Sequence, residues 1–176
     1  MQDWRQQATE NHITIVETGE CQFCRAPLQE GVSECVAIAA NITHKINHAD
    51  GIKNKTIFLC VDAHTLQHTE IHGRWSNHFH LSRLQLILNR KIQWNYELSP
   101  LLSRTIDEYK KAHPEERILA PKIGQRGLLT VYDILNAKEE REYIELVNQW
   151  AKAVYDSYAN GHGIAEKIAY LFQGKI

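Results

Sequence analysis

Cys21 and Cys24 stand two residues apart in the run Cys21-Gln22-Phe23-Cys24. That spacing lets both sulfurs reach one tetrahedral ion at roughly 2.3 Å, the geometry of half a zinc site. No second pair of this kind occurs, so further ligands must come from Cys35 or from histidines. The chain has 10 histidines, and His64, His68, His72, His78 and His80 crowd one short stretch. The first three follow at four-residue intervals, so on one helix they share a face, and two imidazoles so placed can chelate one ion. His80 falls on the apolar stripe that continues through Leu84 and Ile87 and is expected to face inward. There it is either a ligand or a core histidine satisfied by a carbonyl. Beside two cysteines, ligation is the favoured reading.

Cys35 is expected in the first turn of a helix capped by Ser33. The helix dipole there favours a thiolate, the form that binds metal. The same residue also opens the buried stripe Cys35, Ile38, Ala39, Ile42, Ile46, and cysteine is among the most buried residue types. The two readings weigh about equally, which keeps Cys35 as a reserve ligand. Asp62 and Gln67 lie next to the histidines, and an acid in that place commonly fixes the tautomer of a ligating imidazole. Cys60 sits in an apolar run and reads as packing.

The elements that must position these residues are mainly helical. Residues 12–18 are β-branched and predict a short extended strand leading into the cysteine pair. Periodicity then predicts helices over residues 33–48, from about 56 to 70, and through Leu81, Leu84, Ile87 and Leu88. A further helix opens at Ser99-Pro100. Residues 114–129, with two prolines and two glycines, predict the longest irregular connection. Asn136 with Glu139 reads as a capping box for a helix bearing Tyr143, Leu146, Val147, Trp150, Val154 and Tyr158. A short helix with Ile164, Ile168, Ala169 and Phe172 ends the chain. The expected architecture is mainly α: a bundle of five or six helices forming one domain over residues 1–176. In it, a metal-knuckle segment, 1–33, packs on a helical core, 34–176.

The 176 residues carry 20 Lys and Arg against 21 Asp and Glu, a net charge of -1. A near-neutral balance gives no general attraction to phosphate backbones or anionic lipid, so nucleic acid and membrane are not indicated as partners. No run approaches the roughly 20 apolar residues needed to span a bilayer. The start of the chain has no apolar stretch behind a basic one, which predicts a cytoplasmic protein. Nucleophile-elbow, Walker-loop and zinc-protease patterns are missing, and the four tryptophans are scattered rather than arranged as a stacking platform.

On these residues the chain resembles an uncharacterised bacterial family, the domain of unknown function 5946. The likeness rests on Cys21 and Cys24, on Cys35 in its helix, and on the stretch from Val61 to His68. It continues through His80-Leu81, the segment Leu129 to Asp133, and Trp150-Ala151. The family pattern has glycine soon after the second cysteine, where this chain has Arg25-Ala26. It has an aromatic residue where His64 stands, and proline where Thr69 stands. The resemblance therefore implies that His68 and His80, but not His64, belong to a shared site. It brings no activity with it. The ligand set expected on all these grounds is Cys21, Cys24, His68 and His80, holding zinc.

Three functions compete. A zinc-stabilised accessory or binding module would saturate the ion with four protein ligands. A metal-dependent hydrolase or transferase would keep one position open for water, with Asp62 or a free histidine as base. A redox dithiol at Cys21 and Cys24 is the weakest, because no βαβ pattern surrounds the pair. The first is preferred. Its partner is not readable from the residues.

Overall fold

The structure is a computed structural model that describes residues 4–45 and 51–176. Eight α-helices follow one another among the described residues: α1 (Trp4–Glu10), α2 (Gly31–Lys45), α3 (Gly51–Gln67), α4 (Ser76–Leu84), α5 (Leu98–Ala112), α6 (Val131–Leu135), α7 (Glu140–Ser157) and α8 (His162–Gln173). The mainly helical class is as expected, with more helices than the five or six read from periodicity. Two of the additional ones, α1 and α6, are five to seven residues long, too short for a repeating apolar stripe to register. α6 nonetheless has a local signature. The Thr130 hydroxyl accepts from the Tyr132 N–H, and the Asp133 carboxylate accepts from the Thr130 N–H.

α3 is the central helix, packing against α2, α4 and α7, while α8 closes over α4 and α5. α3 buries Leu59, Ala63 and Leu66, and α7 buries Val147, Trp150, Ala151 and Val154. Each large apolar side chain so buried contributes about 1.5–3 kcal/mol. Their spacing of three and four residues is the helical period that the sequence displays. The N-terminal segment joins this core directly, because Cys21, Phe23, Ala26 and Leu28 belong to the same buried cluster as the helices. No helix is long and apolar enough to cross a membrane among the described residues.

Several local expectations are corrected. Residues 12–18 form no strand: His12 stands in a turn with φ +57°, and an isolated bridge between Gly19 and Glu30 is the nearest feature. A side chain stands in for a strand partner: Gln22 Oε1 accepts from the Val16 N–H at 2.6 Å, and Gln22 Nε2 donates to the Thr14 carbonyl at 3.1 Å. α2 starts at Gly31 rather than behind Ser33. The Glu34 carboxylate accepts from the free N–H groups of Gln29 and Glu30 at 2.7 and 2.9 Å, while Ser33 bonds Glu17 and Arg5. Cys35 therefore lies in the second turn of α2, not the first. The expected end of this helix near His48, and Ile46 on its stripe, lie outside the described residues.

α5 starts at Leu98, whose N–H is met by the Asn95 side chain at 3.2 Å, so Pro100 occupies the third helical position. Asn136 does not cap α7. It closes α6, donating to the Tyr132 carbonyl at 2.7 Å.

Candidate metal centre

Four side chains from three parts of the chain converge. Cys21 and Cys24 come from the turn before α2, Cys35 from α2 itself, and His68 from the residue just past the end of α3. Their ligand atoms all lie within 4.8 Å of one another, and together they can hold a metal ion. Cys24 Sγ is 3.7 Å from Cys35 Sγ, and His68 Nε2 is 3.3 Å from both Cys21 Sγ and Cys35 Sγ. A tetrahedron with metal–sulfur bonds of about 2.3 Å and a metal–nitrogen bond of about 2.0 Å has edges of roughly 3.5–3.8 Å. The observed separations match that shape to within a few tenths of an ångström. Three thiols and one imidazole make a soft donor set, suited to zinc or iron rather than to calcium or magnesium.

The turn that carries the first two sulfurs is closed by its own backbone. The Cys21 N–H donates to the Ala26 carbonyl at 3.0 Å, and the Arg25 N–H to the Cys21 carbonyl at 2.9 Å. Closing it requires φ +64° at Arg25, the left-handed region that glycine enters most readily. Gly19 and Gly31 then pin the turn at its base, with the Gly31 N–H donating to the Gly19 carbonyl at 3.0 Å.

His68 is aimed from behind. Its Nδ1–H donates to the His64 carbonyl at 2.6 Å, which leaves the Nε2 lone pair facing the sulfurs. The Phe23 ring packs edge-on against it, with centroids 5.8 Å apart.

All four residues are buried, none more than 8% exposed. Hydrogen bonds from Cys24 and Cys35 pull the Cys21 thiol far below its ordinary value. Cys35 is pushed far up, because it supplies a proton to Cys21 and Cys24 and is itself buried. Burial works against a charged His68, yet hydrogen bonds to Cys21 and Cys24 outweigh it and raise the imidazole to about 10. The group thus pairs one readily ionised thiol with one that keeps its proton. A cation entering it would displace protons, as metal binding at such sites does.

His80, the fourth ligand expected from the sequence, is not in this group. Its Nδ1–H donates to Asp62 Oδ1 at 2.5 Å, and the same carboxylate, fully buried, is held by Arg83 Nη2 at 2.5 Å and Nε at 2.9 Å. The Arg83 guanidinium stacks 4.9 Å from the ring centres of both Phe58 and Phe79. Asp62 thus holds a histidine outside the cluster, not one of the converging four. Arg83 is the partner that sequence reasoning missed, although its place three residues after His80 puts both on one face of α4.

Gln67 braces the turn that carries His68. Its Nε2 donates to the carbonyls of Arg126 and Leu129 at 3.0 and 2.8 Å, and its Oε1 accepts from Trp150 Nε1 at 3.1 Å. Cys60 is buried in packing, with its thiol pushed up to about 12 by burial.

The chain belongs to the family of unknown function DUF5946, whose pattern matches residues 19–159 and so spans all four converging side chains. Comparison with curated proteins and with solved structures returns no match.

Proposed function

We propose that this chain, one of a family without an assigned activity, is a zinc-binding accessory module in which Cys21, Cys24, Cys35 and His68 hold one structural ion. The observation that carries the reading is the convergence of four buried soft ligand atoms within 4.8 Å of one another. Four protein ligands close the coordination sphere, the pattern of structural rather than hydrolytic zinc, which keeps a position for water. The ion would join the N-terminal turn to α2 and to the end of α3. Structural zinc contributes on the order of 10 kcal/mol to folding, so the knuckle depends on it. The fold around it then serves to present a surface to a partner rather than to turn over a substrate.

Elemental analysis combined with X-ray absorption on the purified chain tests this. The expected result is one zinc per chain with three sulfurs and one nitrogen in its shell, and loss of amide protection across residues 19–35 on chelation. His80→Ala should retain the ion, whereas Cys35→Ala should lose it. Protein that neither carries nor takes up zinc, a water oxygen in the shell, or metal-free protein with its full fold would overturn the proposal.

A further inference from the structure

His64 precedes His68 by one helical turn, and its ring stacks on that of His68 with centroids 4.0 Å apart and planes 20° from parallel. It is buried, at 8% exposure. Its Nε2 lies 3.8 Å from Cys35 Sγ, the sulfur that His68 Nε2 approaches at 3.3 Å. His64 is not one of the four mutually close ligand atoms. A tetrahedral ion held by those four has no need of a fifth. Yet a second imidazole beside the same sulfur needs a reason, because a buried ring nitrogen without a partner is costly.

Charge supplies that reason. A divalent ion with three thiolates and a neutral imidazole carries one net negative charge, and a buried charge is tolerated only when hydrogen bonds disperse it. We infer that His64 is a positioning residue for the metal centre: its Nε2–H donates to the Cys35 thiolate and makes that sulfur the least nucleophilic of the three. This rests on the zinc reading above and adds to it what governs the reactivity of the site. A donated hydrogen bond draws charge from sulfur, which slows its attack on electrophiles. The His64 backbone carbonyl, already holding His68 Nδ1, would make the residue serve two ligands at once, one through its main chain and one through its ring.

The test uses the zinc-loaded full chain and N-ethylmaleimide. In the step that is read, the thiolate adds to the maleimide double bond, a carbon–sulfur bond forms as the π bond breaks, and the resulting carbanion takes a proton from water. The alkylated sulfur no longer holds zinc, and the freed ion is followed with a chromogenic chelator. His64→Phe keeps a stacking ring and loses the N–H. It should still bind one zinc and alkylate Cys35, followed site by site by mass mapping, about tenfold faster than wild type, the scale on which partners of metal ligands act, with the labelling rates of Cys21 and Cys24 little changed. His64→Gln, whose amide can donate, should restore most of the protection.

A Cys35 labelling rate in His64→Phe equal to that of wild type, or an equal rise at all three sulfurs, would overturn the inference. A measurement on wild type stands beside the variants: long-range proton–nitrogen correlation on the zinc-loaded chain reads the His64 tautomer directly. The proton should be on Nε2, and a proton on Nδ1 instead would overturn the inference even if the variants failed to fold. Failure of the wild-type chain to bind zinc would sink the underlying reading, and that outcome is visible before any variant is made.

Discussion

Arg126 Nη1 donates to the backbone carbonyl of Gln67, the residue immediately before His68, at 3.0 Å. The same guanidinium is paired to both oxygens of Glu70, at 2.7 and 2.5 Å, and through Nε to the Pro121 carbonyl at 2.8 Å. One side chain from the long irregular connection thus seals the end of α3 where the imidazole emerges. Arg126→Met would leave a buried carbonyl and a half-buried carboxylate unpaired. It should lower stability by about 3 kcal/mol, the usual scale for breaking a buried pair from one side. A shift of the urea midpoint without change of slope checks it.

Asp62 and Arg83 predict strongly non-additive losses between single and double variants. Asp62→Leu or Arg83→Met alone should cost about 3–5 kcal/mol, because each strands a buried group. Asp62→Leu with Arg83→Met should recover most of that loss, since an apolar pair of similar volume is often neutral. A double-mutant cycle by denaturant unfolding measures the coupling, and additive losses would contradict the picture.

His78 predicts a fall of stability in mild acid. Its Nε2 accepts from the Ile118 N–H at 3.3 Å and burial is the main reason its imidazole is pushed down to about 4. An unfolded chain takes up this proton near the ordinary value of about 6.5. Above that pH both states are neutral and the histidine makes no pH-dependent contribution. As pH falls from about 6.5 toward 4, the unfolded state gains a proton that the folded state refuses, and stability drops. His78→Gln should show a shallower fall over that window than wild type when both are unfolded at matched pH values.

Two backbone positions in the knuckle predict opposite effects. Gly31 has φ +55°, and a Cβ there would stand 2.4 Å from the Val16 carbonyl oxygen, so Gly31→Ala should cost at least about 2 kcal/mol. Arg25 has φ +64° and its ion pair with Glu20 is half exposed on both sides, so little is lost with the side chain. Arg25→Gly should therefore stabilise the zinc-loaded chain by about 0.5–1 kcal/mol. Thermal unfolding of both variants decides the signs.

Much of the helical frame was legible because helices announce themselves locally. The stripes through Leu81, Leu84 and Ile87 and through Val147, Trp150 and Val154 repeat at the period of the helix they form, and those residues are buried. Helix starts were less legible. Ser33 and Asn136 looked like caps, but the groups that meet the first free N–H donors of α2 and the end of α6 depend on which neighbours reach them. The run at 12–18 has strand-forming residues but no strand to pair with, and pairing is a tertiary fact.

For the opening pair of cysteines, residue type and a spacing of two were enough to indicate a shared metal, since both thiols come from one turn. His68 was legible to the same degree, because its burial and tautomer depend on a carbonyl one turn away on its own helix. Which of Cys35 and His80 stands beside them was beyond the sequence. Both face inward on amphipathic helices, and periodicity reports only which side of a helix is buried, not which neighbour it meets there. The packing of α2 and α4 on either side of α3 decided it, placing Cys35 3.3 Å from His68 and His80 against Asp62. Chemistry carried within one turn or one helix can be read along the chain, whereas chemistry assembled across helices is set by how those helices pack.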